Sequence, residues 1–261
     1  MKEVFKYTFA AIADWKKFLY VVLIVSIFTL LEPFPFIGTT FFILEKLLYL
    51  SIGVFLIYIL KHSRNEKEFF ENLEKNGLGT FMFHFIPAAS GILLGLILLS
   101  LYWFLLFVII LKITNSLYVL GSPHSFFEAL SSTSLTAQVL LALYFIYFSL
   151  FIYVFLGKFG DSLSRETFKE GFFTIISVLF DFKYWIKTFN LNYLLIFSVW
   201  FVIVNIINSI ITLAYIVLVF PVILQNPNFS LLIIPLLVAI STILTYYTFF
   251  SAYFAHKTTK S

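Results

Sequence analysis

Three charged side chains fall within strongly apolar stretches of the chain: Glu45, Lys46 and Lys112. A charge in hydrocarbon is costly, so those retained there commonly line a proton, ion or solute path. Glu45 could face its neighbours and meet Lys112. Alternatively, Glu45 and Lys46 could both snorkel to the interface. Adjacent helical positions point about 100° apart, so Glu45 and Lys46 are not expected to pair. A second group, Asn205, Asn208, Ser209 and Thr212, lies along another apolar stretch, with Ser198 two turns before Asn205. A third comprises Ser241, Thr245 and Thr248. An amide in hydrocarbon needs a partner. The two polar stripes therefore read as a seam packed face to face, either as interhelical glue or as the lining of a permeation path. Ser and Thr can also bond back to their own helix, which weakens the third signal.

Little else has the chemistry of catalysis. His62, His84, His124 and His256 are scattered, with no ligand spacing to another His, Asp or Glu. There is no GxSxG elbow, P-loop or Rossmann glycine set. The chain has no Cys, which excludes disulfides and thiol chemistry. The expectation is a protein that is not an enzyme, with no catalytic, metal or cofactor-binding residues and no cofactor.

The elements that carry these residues follow from composition. Of the 261 residues, 61% are hydrophobic and only 11% charged. The mean hydropathy is +1.02. A soluble domain is about 25% charged, so lipid must be this chain's solvent. Six apolar segments suit membrane helices, near 18–31, 41–60, 86–111, 135–156, 193–220 and 231–254. The expected class is all-α, a polytopic helix bundle of about six transmembrane helices in one membrane domain, 1–261. At the end of the first segment, Glu32, Pro33 and Pro35 suggest a helix stop with a tight turn, or alternatively a re-entrant hairpin. The basic start, Lys2 to Lys17, lacks a small-x-small cleavage site and reads as leading into an uncleaved span.

Basic residues orient the bundle. Fifteen of the seventeen Lys and Arg lie before the first segment, between the second and third, between the fourth and fifth, or after the sixth. Only Lys46 and Lys112 lie elsewhere. The positive-inside rule then puts both termini in the cytoplasm of a multi-pass protein of the cell membrane. The net charge of +4 points to the lipid bilayer rather than to nucleic acid.

Charge alternates with aromatic and aliphatic residues at Lys2–Phe9, Glu66–Leu78 and Arg165–Trp185. These read as amphipathic helices lying at the cytoplasmic interface. Each precedes an odd-numbered span, so three units are conceivable, about 1–60, 61–157 and 158–261. On the outer side, Phe126, Phe127 and Leu130 could form another interfacial helix in the loop 121–134. Asn228-Phe229-Ser230 matches a glycosylation acceptor but lies almost at the membrane, and reads as coincidence. Gly91 and Gly95 offer a small-x3-small surface for close helix approach.

The opening Phe5-Lys6-Tyr7 through Trp15-Lys16-Lys17, the Asn76-Gly77-Leu78-Gly79 run and the closing Ser251-Ala252-Tyr253-Phe254-Ala255-His256 resemble an uncharacterised family of archaeal and bacterial polytopic membrane proteins, domain of unknown function 4013. Asn65-Glu66-Lys67-Glu68-Phe69-Phe70 stands where that family's Pro-Glu-aromatic-Asp signature is expected. The resemblance implies six helices and assigns no activity.

Two functional readings remain. One is a small transporter- or channel-like protein using the polar stripes and Glu45, Lys46 and Lys112. The other is a non-enzymatic scaffold or accessory subunit, with a protein partner or a homo-oligomeric assembly.

Overall fold

The computed structural model describes residues 1–34, 37–116, 133–214, 216 and 230–260. In chain order the helices are α1 (Lys2–Ala13), α2 (Trp15–Leu31), α3 (Gly38–Lys61), α4 (Glu66–Lys75), α5 (Leu78–Ile113), α6 (Leu135–Leu163), α7 (Phe168–Ile176), α8 (Phe182–Thr188), α9 (Leu191–Ala214) and α10 (Ser230–Thr258). A 3-10 turn, Ser177–Leu179, joins α7 towards α8. The loop carrying His124, Phe126, Phe127 and Leu130 lies outside the described residues, as do Asn228 and Phe229 of the acceptor motif.

Short polar side chains start many of these helices. Asn65 accepts from the Glu68 N–H at 2.9 Å, and Asn190 from the Tyr193 N–H at 2.8 Å. Ser134, Thr167 and Asp181 cap α6, α7 and α8 in the same way. Each satisfies an amide that the first turn leaves without a partner.

Among the described residues, five helices are long and apolar enough to cross a membrane: α3, α5, α6, α9 and α10. The protein is an all-α, multi-pass membrane bundle. The expected sixth span, α2, is a helix of 17 residues. At 1.5 Å per residue it extends about 25 Å, short of a hydrocarbon core of about 30 Å. Pro33 lacks the N–H needed to continue it. The chain stops and turns tightly into α3. A side chain on Gly38 would collide with the Glu32 carbonyl, so this turn needs glycine. Val21, Val22 and Val25 of α2 are buried, while Leu19, Leu23 and Ile27 stay exposed. That division suits a helix with one face on the bundle and one in lipid.

A single apolar core joins the helices, from Val4 of α1 through Phe55 of α3 and Leu163 of α6 to Phe250 of α10. Tyr7 of α1 meets Phe69 of α4 edge-on at 5.2 Å between ring centroids. The two short helices thus cover the basic end together. Gly91 and Gly95 do receive a close neighbour, the short helix α7. A side chain on Gly91 would collide with the Phe168 carbonyl, and one on Gly95 with Ile175. One face of α7 is therefore docked on α5 rather than only resting in the headgroup plane. Phe168 and Phe173 remain exposed on its other side.

Candidate functional site

A cavity of about 760 Å³ lies between α2, α3, α5 and α10. Its apolar wall includes Val25, Leu50, Leu93, Leu96 and Phe249. Its polar wall is Thr29, Glu32, Glu45, Lys46, Tyr49, Ser241 and Thr245. The first turns of α3 place Glu45 there, only 7% exposed. Its Oε1 accepts from Lys46 Nζ at 2.5 Å and its Oε2 from Thr29 Oγ1 at 3.4 Å. Below it, the hydroxyls of Tyr49 and Thr242 meet at 2.9 Å and tie α3 to α10. Glu32 faces Glu45 and Lys46, its carboxyl within hydrogen-bond reach of the Glu45 carboxyl. With both acids ionised, two carboxylates share one ammonium, leaving a net charge of −1 in a site of low dielectric. Such a site favours a proton or a cation.

The pairing of Glu45 with Lys46 corrects the expectation from helical geometry. The two Cα–Cβ directions do diverge, but the lysine stem is long enough to curl back over the Phe42 ring, 4.8 Å from its centroid. A carboxylate this buried costs several kcal/mol if left alone, more than a bent lysine rotamer. Glu45 therefore does not snorkel. Lys112 is exposed in the last turn of α5 and does not line the cavity, so the anticipated Glu45–Lys112 meeting is not made.

The anticipated seam between the last two spans is likewise not formed as drawn. Asn205, Asn208, Ser209 and Thr212 are all exposed on α9. The Asn205 amide donates to its own helix, to the Phe201 carbonyl at 2.7 Å. The face of α9 turned to α10 carries Ile196, Trp200 and other apolar residues, and Trp200 Nε1 donates to Thr248 Oγ1 at 3.2 Å. The bulky residues offer more buried area per turn than the amides, and they win the interface. On α10, Ser241 and Thr245 are half-buried at the cavity wall, with Thr245 Oγ1 bonded back to the Ser241 carbonyl at 2.8 Å.

A second polar assembly lies at the basic end, and the sequence did not signal it. Helix α6 runs on to Leu163, so Lys158 is inside its last turns and 5% exposed rather than in a loop. Its Nζ donates to Asp181 Oδ2 at 2.6 Å and to Ser177 Oγ at 3.1 Å, and lies 4.4 Å from the Tyr184 ring centroid. Burial pushes the Asp181 carboxyl up, but the Lys158 hydrogen bond, the Tyr184 N–H and the charges of Lys158 and Lys187 outweigh it and hold the pKa below the usual 3.8. Beside this pair, Asp161 Oδ1 accepts from Arg165 Nη2 at 2.9 Å. His256 Nε2 stands 3.5 Å from the same oxygen, and His256 Nδ1 meets the Tyr184 hydroxyl at 3.3 Å. Burial raises the Tyr184 pKa, so that hydroxyl keeps its proton. His256, scattered in sequence, is thus placed by tertiary structure.

One further contact locks α6 to α9. The Tyr193 hydroxyl accepts from the Gly157 N–H at 2.9 Å and donates to the Tyr153 carbonyl at 2.6 Å. Those two groups, four residues apart, are the ones an α-helix ordinarily pairs with each other. Only a glycine at 157 leaves room for the phenol. No family model, curated protein or solved structure matches this chain.

Proposed function

We propose that the protein is a small transporter- or channel-like membrane protein, not an enzyme, whose solute site is the cavity around Glu45. The observation that carries this reading is a carboxylate 7% exposed on the wall of a 760 Å³ cavity. A bundle built only to anchor itself gains nothing from burying that charge. The surplus negative charge of the Glu32, Glu45 and Lys46 group favours a cationic solute, or a proton that moves with the solute. By the positive-inside rule both termini lie in the cytoplasm, with α2 completing an even number of crossings as a short span that the bilayer thins to meet, and the cavity lies toward the outer side.

The test is reconstitution of the full chain in liposomes, with flux measured for protons, Na⁺, K⁺ and small amines. Flux of one of these, reduced at least tenfold by Glu45→Gln in a protein that still elutes as a single folded species, is the expected result. Flux unchanged in a folded Glu45→Gln variant would sink the proposal.

A second reading, a scaffold or subunit with a protein partner or a second copy, is favoured by the exposed Asn205 and Asn208 of α9. Polar amides facing lipid gain by meeting another helix. Mild purification from native membranes tests it: a stoichiometric partner or a homo-oligomer supports this reading, and a monomer with flux counts against it.

A further inference from the structure

We infer that the cleft where α3, α6 and α10 end together binds a phosphate-bearing anion. This site lies at the basic end, apart from the Glu45 cavity, and does not rest on the transport reading. The cleft has a volume of about 270 Å³. Lys61, Arg165, Lys257 and Lys260 line it, with Asp161 the one carboxylate among its lining residues.

Cations gather at helix C-termini for a simpler reason, to complement the carbonyl ends of the helices, so that effect must be subtracted first. Each helix end contributes roughly −0.5 charge. Three ends and Asp161 together offset about 2.5 of the four positive charges, which leaves a surplus of about +1.5. One of those ends is already served by a direct bond, from Lys61 Nζ to the Ser164 carbonyl at 3.1 Å. The surplus belongs to the cleft.

Hydrogen bonding points the same way. The Asp161 contact fixes the Arg165 guanidinium, yet Arg165 Nε is buried without an acceptor among the described residues. His256, 5% exposed, presents a buried Nε2 that also has no hydrogen-bond partner there. It stands 3.5 Å from the Asp161 oxygen that accepts from Arg165, without a hydrogen bond to it. The cleft is thus rich in donors and poor in acceptors. A carboxylate brings two oxygens in one plane, whereas a phosphate brings a tetrahedral set that can meet donors arriving from three helices. A guanidinium oriented by a second acid suits it well. Basic pockets between spans on the cytoplasmic side commonly take lipid headgroups of this chemistry. A free phosphate or phosphomonoester offers the same oxygens.

The experiment uses the full chain in a maltoside detergent free of phosphate. Retention of phosphatidylglycerol is read by native mass spectrometry, and binding of inorganic phosphate by calorimetry. Phosphatidylglycerol retained at one per chain, weakened at least tenfold by Arg165→Gln and by Lys260→Gln, identifies a headgroup site. Inorganic phosphate bound with the same sensitivity identifies a free-phosphate site. Lys75 on α4 lies outside the cleft and serves as the charge control. Lys260 is exposed, so Lys260→Gln carries the test even if Arg165→Gln does not fold. Binding of neither probe, or equal weakening by Lys75→Gln, overturns the inference.

Discussion

Replacing Asp181 by Asn removes one charge while keeping the oxygen that caps α8, because Asn caps a helix as well as Asp does. The variant therefore isolates the Lys158–Asp181 pair. At the observed 2.6 Å, and with an effective dielectric constant of about 20, the attraction is about 6 kcal/mol. The Asp181 side chain is 37% exposed, and water screens a pair with one wet partner, so about half of that survives. The expected loss is about 3 kcal/mol, at the lower end of what breaking a buried pair costs. For a chain of this size that corresponds to a drop of about 6–12 °C in melting temperature. Intrinsic tryptophan fluorescence of the detergent-solubilised protein reads it. The double variant Lys158→Met, Asp181→Asn, which buries no unpaired ammonium, should recover most of the loss. The pH dependence has a definite sign. The folded-state pKa of Asp181 lies below 3.8, so its contribution is complete above that value and fades as the pH falls through the lower folded one. The gap between wild type and Asp181→Asn should narrow as the pH falls below 3.8. A single variant melting within about 2 °C of wild type at neutral pH, or a double variant less stable than the single one, would refute the reasoning.

Tyr193→Phe deletes the hydroxyl between α9 and α6 and should cost about 1–3 kcal/mol, less if the Gly157 N–H and the Tyr153 carbonyl satisfy each other. Melting measures the cost, and hydrogen exchange at the Gly157 amide reports which of the two happens. Gly91→Val should push α7 off α5 by collision with the Phe168 carbonyl, at about 1–3 kcal/mol. Faster tryptic cleavage at Arg165 and Lys169 than in wild type is the expected readout.

The spans were legible because hydropathy sums over some twenty residues, and neither small errors nor tertiary detail can mask it. The exception, α2, was already marked by Glu32 and Pro33, which set its length. Periodicity also placed Asn205, Ser209 and Thr212 on one face of α9. What it could not supply was the absolute rotation of that helix, which Trp200 and its apolar neighbours decide through contacts with α10. Glu45 was visible as an intramembrane charge. Its pairing with Lys46 was not, since side-chain reach rather than Cβ direction brings them together. Lys158 was hidden by its own usefulness as a topology marker: a lysine at the end of a span reads as flanking charge until the helix is seen to continue past it. Its partner Asp181 is 23 positions away, across α7 and the 3-10 turn; Gly91 and Gly95 marked a close approach to α5, but not that α7 would make it.

The Tyr193 hydroxyl makes one rung of α6 the joint property of two helices. It takes the Gly157 N–H and reaches the Tyr153 and Val154 carbonyls, so α9 is held to α6 by backbone polar groups as well as by packing. The tie denies α9 free rotation against α6, because any turn about its own axis must withdraw a buried hydroxyl from three backbone groups at once.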